Sequence, residues 1–161
     1  MTQHQSNLDA QSQSRPLNVA IVGATGAVGI ELMGCLERRG FPVASLRLLA
    51  SPRSAGKTLA FRGQDLVVEP LGPNSFDGID VALFSAGATI SRQYAPVAVA
   101  AGCVVVDNSS AFRMDEDVPL VVPEVNGALL ADQPKVVANP NCVAAIAVMA
   151  LQPLHAHNKV T

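Results

Sequence analysis

Val19-Ala-Ile-Val-Gly-Ala-Thr-Gly-Ala-Val-Gly29 decides the fold of this 161-residue chain. Four apolar residues, Val19 to Val22, run straight into glycines at 23, 26 and 29, and Val28, Leu32 and Leu36 then recur at helical spacing. The pattern predicts a buried strand that turns sharply into an amphipathic helix. Gly23 supplies the backbone freedom such a bend needs, Gly26 lets an anion approach the main chain, and Gly29 lets helix and strand pack closely. The N–H groups of the first helical turn then face the anion. The spacing is GxxGxxG rather than GxGxxG, and glycines also end strands for purely structural reasons. Set between an apolar strand and an apolar helical stripe, the stretch is read as a dinucleotide turn, with Gly23, Thr25, Gly26, Ala27 and Val28 as its binding residues.

Working outward, Ser45 to Ala50 reads as a second strand and Ser51 to Lys57 as the loop at its end. In this arrangement that loop lies beside the adenosine ribose, where an NAD site carries a carboxylate and an NADP site carries hydroxyl and guanidinium groups. Here the loop offers Ser51, Arg53 and Ser54, and no acid occurs from Arg38 through Gln64. NADP is therefore the expected cofactor, with a solvated basic loop as the competing reading. Leu59 to Phe61 and Asp65 to Val68 suggest a hairpin, and Val81 to Phe84 a further buried strand ending in Ser85-Ala86-Gly87, small residues suited to a cofactor at a strand end. Ile90 to Ala101 is expected to be helical, with Pro96 early or at a kink. Cys103 to Val106, Leu120 to Val122 and Val136 to Ala138 read as strands, and Val143 to His155 as a largely buried final helix. The fold class is α/β: a Rossmann-like, doubly wound, mostly parallel sheet with helices on both faces.

Composition narrows the function. With 49% hydrophobic residues the chain can bury a core, while a net charge of −2 and the absence of a basic, aromatic-interleaved cluster argue against nucleic acid as a partner. All apolar runs are too short to span a membrane, and residues 1–16, rich in Gln and Ser, read as a disordered leader rather than a secretory signal. Three cysteines at irregular spacing form neither a disulfide framework nor a metal pair, so a cytoplasmic location and no metal site are expected.

Of those cysteines, Cys35 and Cys103 read as core residues. Cys142 differs, because Asn139-Pro140-Asn141 stops a strand and the apolar helical run begins just after, placing a thiol at a helix N-terminus. The dipole there favours the thiolate, the nucleophilic form, and the Asn141 amide could hold an oxyanion. A packed helix-start cysteine is the alternative. Joined to a nicotinamide site, such a thiol suggests an aldehyde oxidoreductase working through a thioester, with Arg113 as the anion-binding group.

With those residues in hand, the chain resembles the bacterial aspartate-semialdehyde dehydrogenases from about Leu17 to its last residue, through VAIVGATGAVG, ASPRSAGK, FSAG, VVDNSSAFRMD, VPLVVPEVN and ANPNC in that order. The resemblance implies NADP-dependent reductive dephosphorylation of aspartyl phosphate to aspartate semialdehyde, on the route to lysine, methionine and threonine. It assigns NADP to Thr25 to Val28 with Arg53 and Ser54, the phosphate to Arg113, and the acyl thioester to Cys142 beside Asn141. Family members continue into a substrate domain that supplies an acid/base His and further substrate contacts, so residues 17–161 are expected to be the NADP-binding domain, inactive alone and homo-oligomeric in its full-length form. Where the family reads NPNCST, this chain has Val143 and Ala144, and Ala88 replaces a second glycine after FSAG. An N-acetyl-gamma-glutamyl-phosphate reductase-like enzyme and a non-catalytic NADP-binding or assembly module are the alternatives.

Overall fold

The computed structural model describes residues 15–159. The leader expected over residues 1–16 thus lies almost wholly outside the described residues. Seven strands form one sheet in the order β3-β4-β2-β1-β5-β6-β7. The order follows from where the apolar runs fall. Strand β1 (Leu17–Val22) pairs in parallel with β2 (Val43–Ala50) on one side and with β5 (Val81–Phe84) on the other. β6 (Val104–Asp107) and β7 (Val136–Ala138) extend the parallel sheet beyond β5. At the far edge the expected hairpin forms from β3 (Thr58–Phe61) and β4 (Gln64–Pro70), with β4 parallel to β2 and β3 antiparallel to β4.

Both faces are covered near the centre. Helix α1 (Ala27–Arg38) places Met33 and Leu36 against Val19, Ile21 and Leu48, while α2 (Ala88–Ala100) places Ala95 and Ala98 against Ala20, Val22, Ala82 and Phe84. Alternate residues of β1 thus serve opposite cores, as the period of two along a strand requires. Burying these side chains is the main stabilising term, at about 1.5–3 kcal/mol for each fully buried large aliphatic residue.

Four readings are corrected. The buried stripe of α1 is Gly29, Met33 and Leu36: Leu36 lies where expected, but Met33 and Gly29 take the places expected for Leu32, which is half-buried beside them, and Val28, which is 45% exposed. Leu120 to Val122 is not a strand; a single bridge joins Leu120 to Ala138, because Pro119 and Pro123, which lack N–H groups, bracket the segment and Pro123 opens the one-turn helix α3 (Pro123–Asn126). Cys35 is only half-buried, unlike Cys103, since it lies on the side of α1 turned toward a cavity. Finally, α4 (Cys142–His157) buries none of its residues; Ile146 is 71% exposed. Its described neighbour is α3, so most of its apolar surface has no facing layer. Of the two places expected for Pro96 the early one is not taken: it sits well inside α2, where it removes the bond to the Arg92 carbonyl.

Candidate functional site

Register fixes the site. Val22 is paired with Phe84, Phe84 with Asp107, and Asp107 with Ala138, so the last paired residues of four parallel strands stand in one row. The next residue of each, Gly23, Ser85, Asn108 and Asn139, forms the carboxyl-terminal rim, where open α/β sheets bind ligands. Backbone bonds continue the row: Ser85 N–H donates to Val22 (2.8 Å), Asn108 N–H to Phe84 (2.9 Å) and Asn139 N–H to Asp107 (2.8 Å). The β1 and β7 ends are three strand spacings apart, roughly 14 Å.

The glycine turn behaves as its spacing predicts. Gly23 has φ of 90°, and a Cβ there would lie 3.0 Å from the Ala86 nitrogen. A Cβ on Gly29 would collide with the Gly23 carbonyl and come 2.7 Å from the Ala24 Cα. Gly26 is different, because an added Cβ would meet only the Gly23 carbonyl at 3.4 Å, an ordinary contact. The protein's own packing therefore accounts for Gly23 and Gly29. The bare backbone at Gly26, the N-cap of α1, is left facing a cavity of about 430 Å³.

That cavity gathers most of the cofactor residues expected from the sequence. Gly23, Thr25 and Gly26 line it at the turn, Ser51, Arg53 and Ser54 at the end of β2, and Ser85 and Ala86 at the end of β5. Pro52–Ser54 forms a 3-10 turn that carries Arg53 with its guanidinium exposed. Helix-start N–H groups at one end and hydroxyls with a guanidinium at the other are the donor set for a pyrophosphate and a ribose 2′-phosphate. NADP thus fits the residues present. Gly87 stands at the N-cap of α2 with φ of 92°. Ala27 and Val28 do not join this group; they open onto a second cavity of about 550 Å³, with Leu83 and Val106 as its floor and Asn108 and Asn139 at the rim. Sequence reasoning missed Leu71, Ile90, Gln93 and Tyr94 in the first cavity, although the last three share one face of a helix that the pattern had found.

At the other end of the rim, a network fixes the loops after β6 and β7. The buried Asp107 carboxylate accepts from Ser91 Oγ at 2.6 Å and Ser109 Oγ at 2.7 Å. Asn139 Nδ2 donates to Asn108 Oδ1 at 2.5 Å. Arg113, half-buried, donates from Nε to the Asn139 carbonyl (2.9 Å) and from Nη2 to the Asn108 carbonyl (3.1 Å). Its side edge thus clips the two loops together, leaving the Nη1/Nη2 end as the bidentate edge suited to an oxyanion. Asn141 caps α4, its Oδ1 accepting from Val143 N–H at 3.0 Å. Cys142 follows as the first residue of that helix, exposed and on the same rim as the glycine turn. Cys103, in contrast, is buried with Sγ 3.2 Å from the Ile79 carbonyl, and burial pushes its thiol up from the ordinary range. Among the described residues no cluster of three His, Cys, Asp or Glu side chains could hold a metal ion, and no helix is long and apolar enough to cross a membrane.

Residues 18–133 match the family model described as "Semialdehyde dehydrogenase, NAD binding domain". The chain belongs to this family. The aspartate-semialdehyde dehydrogenase of Bacillus subtilis is 53% identical over 140 residues, covering 87% of this chain and 40% of the relative. Among solved structures, aspartate semialdehyde dehydrogenase II of Vibrio cholerae, complexed with ASA, superposes with a TM-score of 0.82 at 46% identity, over 88% of this chain and 47% of that one. The Candida albicans enzyme, solved with NADP, gives a TM-score of 0.70 at 28% identity over 90% and 48%. This semialdehyde dehydrogenase domain spans about two fifths of the length of the curated Bacillus subtilis relative, which it covers to 40%.

Proposed function

We propose that residues 17–161 are the NADP-binding and thiol-bearing part of an aspartate-semialdehyde dehydrogenase, which interconverts L-aspartyl 4-phosphate and L-aspartate 4-semialdehyde. The observation that carries the reading is the common rim: the glycine turn, the Arg53 cavity, Arg113 and Cys142 all follow the carboxyl ends of neighbouring parallel strands. Support for NADP comes from the Ser51, Arg53 and Ser54 donor set and from the NADP complex of the Candida albicans enzyme.

In the reductive direction the Cys142 thiolate attacks the acyl carbon. A C–S bond forms, and phosphate departs with the electron pair of the broken C–O bond. The Nη1/Nη2 edge of Arg113 takes the phosphate oxygens, pre-aimed by the two carbonyls on its other edge. Because the Asn141 oxygen is committed to the helix cap, its Nδ2 is the end that donates to the developing oxyanion. Bound NADPH supplies the hydride that reduces the thioester carbon. As aldehyde forms, Cys142 leaves as the thiolate and the thiol site is regenerated. Val143 and Ala144 add no hydroxyl to this first turn, so orientation falls to Asn141 and backbone N–H groups. The proposal places the acid/base in the part of the relatives' length that this chain does not span, and the enzyme in the cytoplasm as a homo-oligomer, in lysine, methionine and threonine synthesis.

The test supplies aspartate semialdehyde, phosphate and NADP to the chain, alone and mixed with the C-terminal part of the Bacillus subtilis relative. Phosphate-dependent NADPH formation in the mixture, lost in Cys142→Ser and absent from the chain alone, is the expected result. No NADPH in either arm, with NADP binding intact, overturns the enzyme assignment for this polypeptide.

A further inference from the structure

The first cavity does not end at Arg53. Its wall also takes in α2, where Ile90, Gln93 and Tyr94 fall at helical spacing on one face, and Leu71 from the segment after β4. Tyr94 and Ile90 are half-buried and packed against the core, so they give a fixed apolar wall, and Leu71 packs against the same core. Gln93 lines the cavity, is exposed, and no described residue hydrogen-bonds its carboxamide. An apolar wall of Leu71, Ile90 and Tyr94 with one unengaged carboxamide in the same lining is suited to an aromatic base with a polar edge.

We infer that Gln93 is a specificity-determining residue that reads the adenine edge of the dinucleotide, and that this cavity selects adenine over 6-oxopurines. The inference rests on the NADP reading above. The chemistry is one of matching patterns: a carboxamide offers one donor and one acceptor in a plane, and adenine offers N6–H as donor beside N7 as acceptor. Hypoxanthine places O6 where N6–H stood, so two acceptors face the amide and one of its groups loses its partner. The phosphate and ribose contacts at Gly26 and Arg53 are blind to that exchange, since they touch another part of the molecule. Discrimination at the base and discrimination at the 2′-phosphate should therefore be separable.

The experiment is calorimetric titration of the 161-residue chain with NADP, NAD and nicotinamide hypoxanthine dinucleotide phosphate. The wild-type chain is expected to prefer NADP to the hypoxanthine analogue by about tenfold, the range of one good bidentate base contact. Gln93→Leu should bind both equally while keeping its preference for NADP over NAD; Arg53→Ala should do the reverse. NADP binding with equal affinity for the hypoxanthine analogue, or discrimination that survives Gln93→Leu, overturns the role of Gln93 and leaves the cofactor reading standing. Failure of the folded wild-type chain to bind NADP at all overturns both. Gln93 is exposed and makes no hydrogen bond among the described residues, so its replacement leaves folding intact, which circular dichroism of the variant checks.

Discussion

The glycine turn and the last helix are equally apolar in sequence and opposite in fate. Val19 to Val22 are at most 1% exposed, with Met33 and Leu36 closing over Val19 and Ile21 and α2 over Ala20 and Val22, whereas Val143 is 70% and Ile146 71% exposed. The first region is covered because β2 and β5 flank β1 and a helix lies on each face. The last helix meets α3 and otherwise faces outward. An apolar periodicity states that a segment calls for cover; it carries no information about whether the covering layer is supplied by the same stretch of chain. Val143, Ile146, Met149 and Leu154 accordingly form an exposed apolar run, a surface of the kind that favours association.

The largest effect should come from breaking the packed region. Gly29→Val drives a side chain into the Gly23 carbonyl and the Ala24 backbone, atoms that cannot move aside, and is expected to cost roughly 3 kcal/mol or more, read as a lowered urea midpoint. Next comes Asp107→Ala, which strands the Ser91 and Ser109 hydroxyls in a buried site at a cost of about 2 kcal/mol. Changes on α4 sharpen the contrast from the other side. Ile146→Ser should alter stability by no more than about 0.5 kcal/mol, because the side chain is already in water, while lowering self-association in sedimentation. A loss comparable to that at Gly29 would mean that α4 is packed in solution.

Most of the sheet was legible in the sequence because its strands are short apolar runs ended by glycine or small polar residues, a pattern local to each segment. The bend at Gly23 and the loop that carries Arg53 after β2 were legible for the same reason, since each is set by a few neighbouring residues. What could not be read was lateral. Nothing local tells that Asn139 would hydrogen-bond Asn108, or that Arg113 would use one edge on the carbonyls of both loops. The place of Gln93 in the first cavity was hidden because Leu71 and Arg53 reach that cavity from segments distant in sequence. The offset of the α1 stripe had a further cause: Gly29 has no side chain to count as apolar, yet it is the point of closest contact.

The smallest predicted effect concerns acid. Asp80, just before β5, holds the Arg15 guanidinium and accepts from the Asn18 N–H at 2.8 Å, and these partners keep its carboxyl below the ordinary carboxylate range. A group whose folded value is depressed stabilises the native state above its unfolded value and loses that contribution as pH falls through the folded one. Since the Arg15 partner is exposed, the contribution is modest and weakens with salt. The chain should therefore hold its melting temperature down to the ordinary carboxylate range and lose part of it below that, with the Asp80→Asn variant showing a shallower acid limb. Helix α4 carries no carboxylate at all, so it adds none of its own to the acid limb. An acid loss unchanged by Asp80→Asn would shift the cause to Asp115, whose carboxyl is likewise held down by Arg92, and a double variant retaining the full acid loss would remove both pairs from the account.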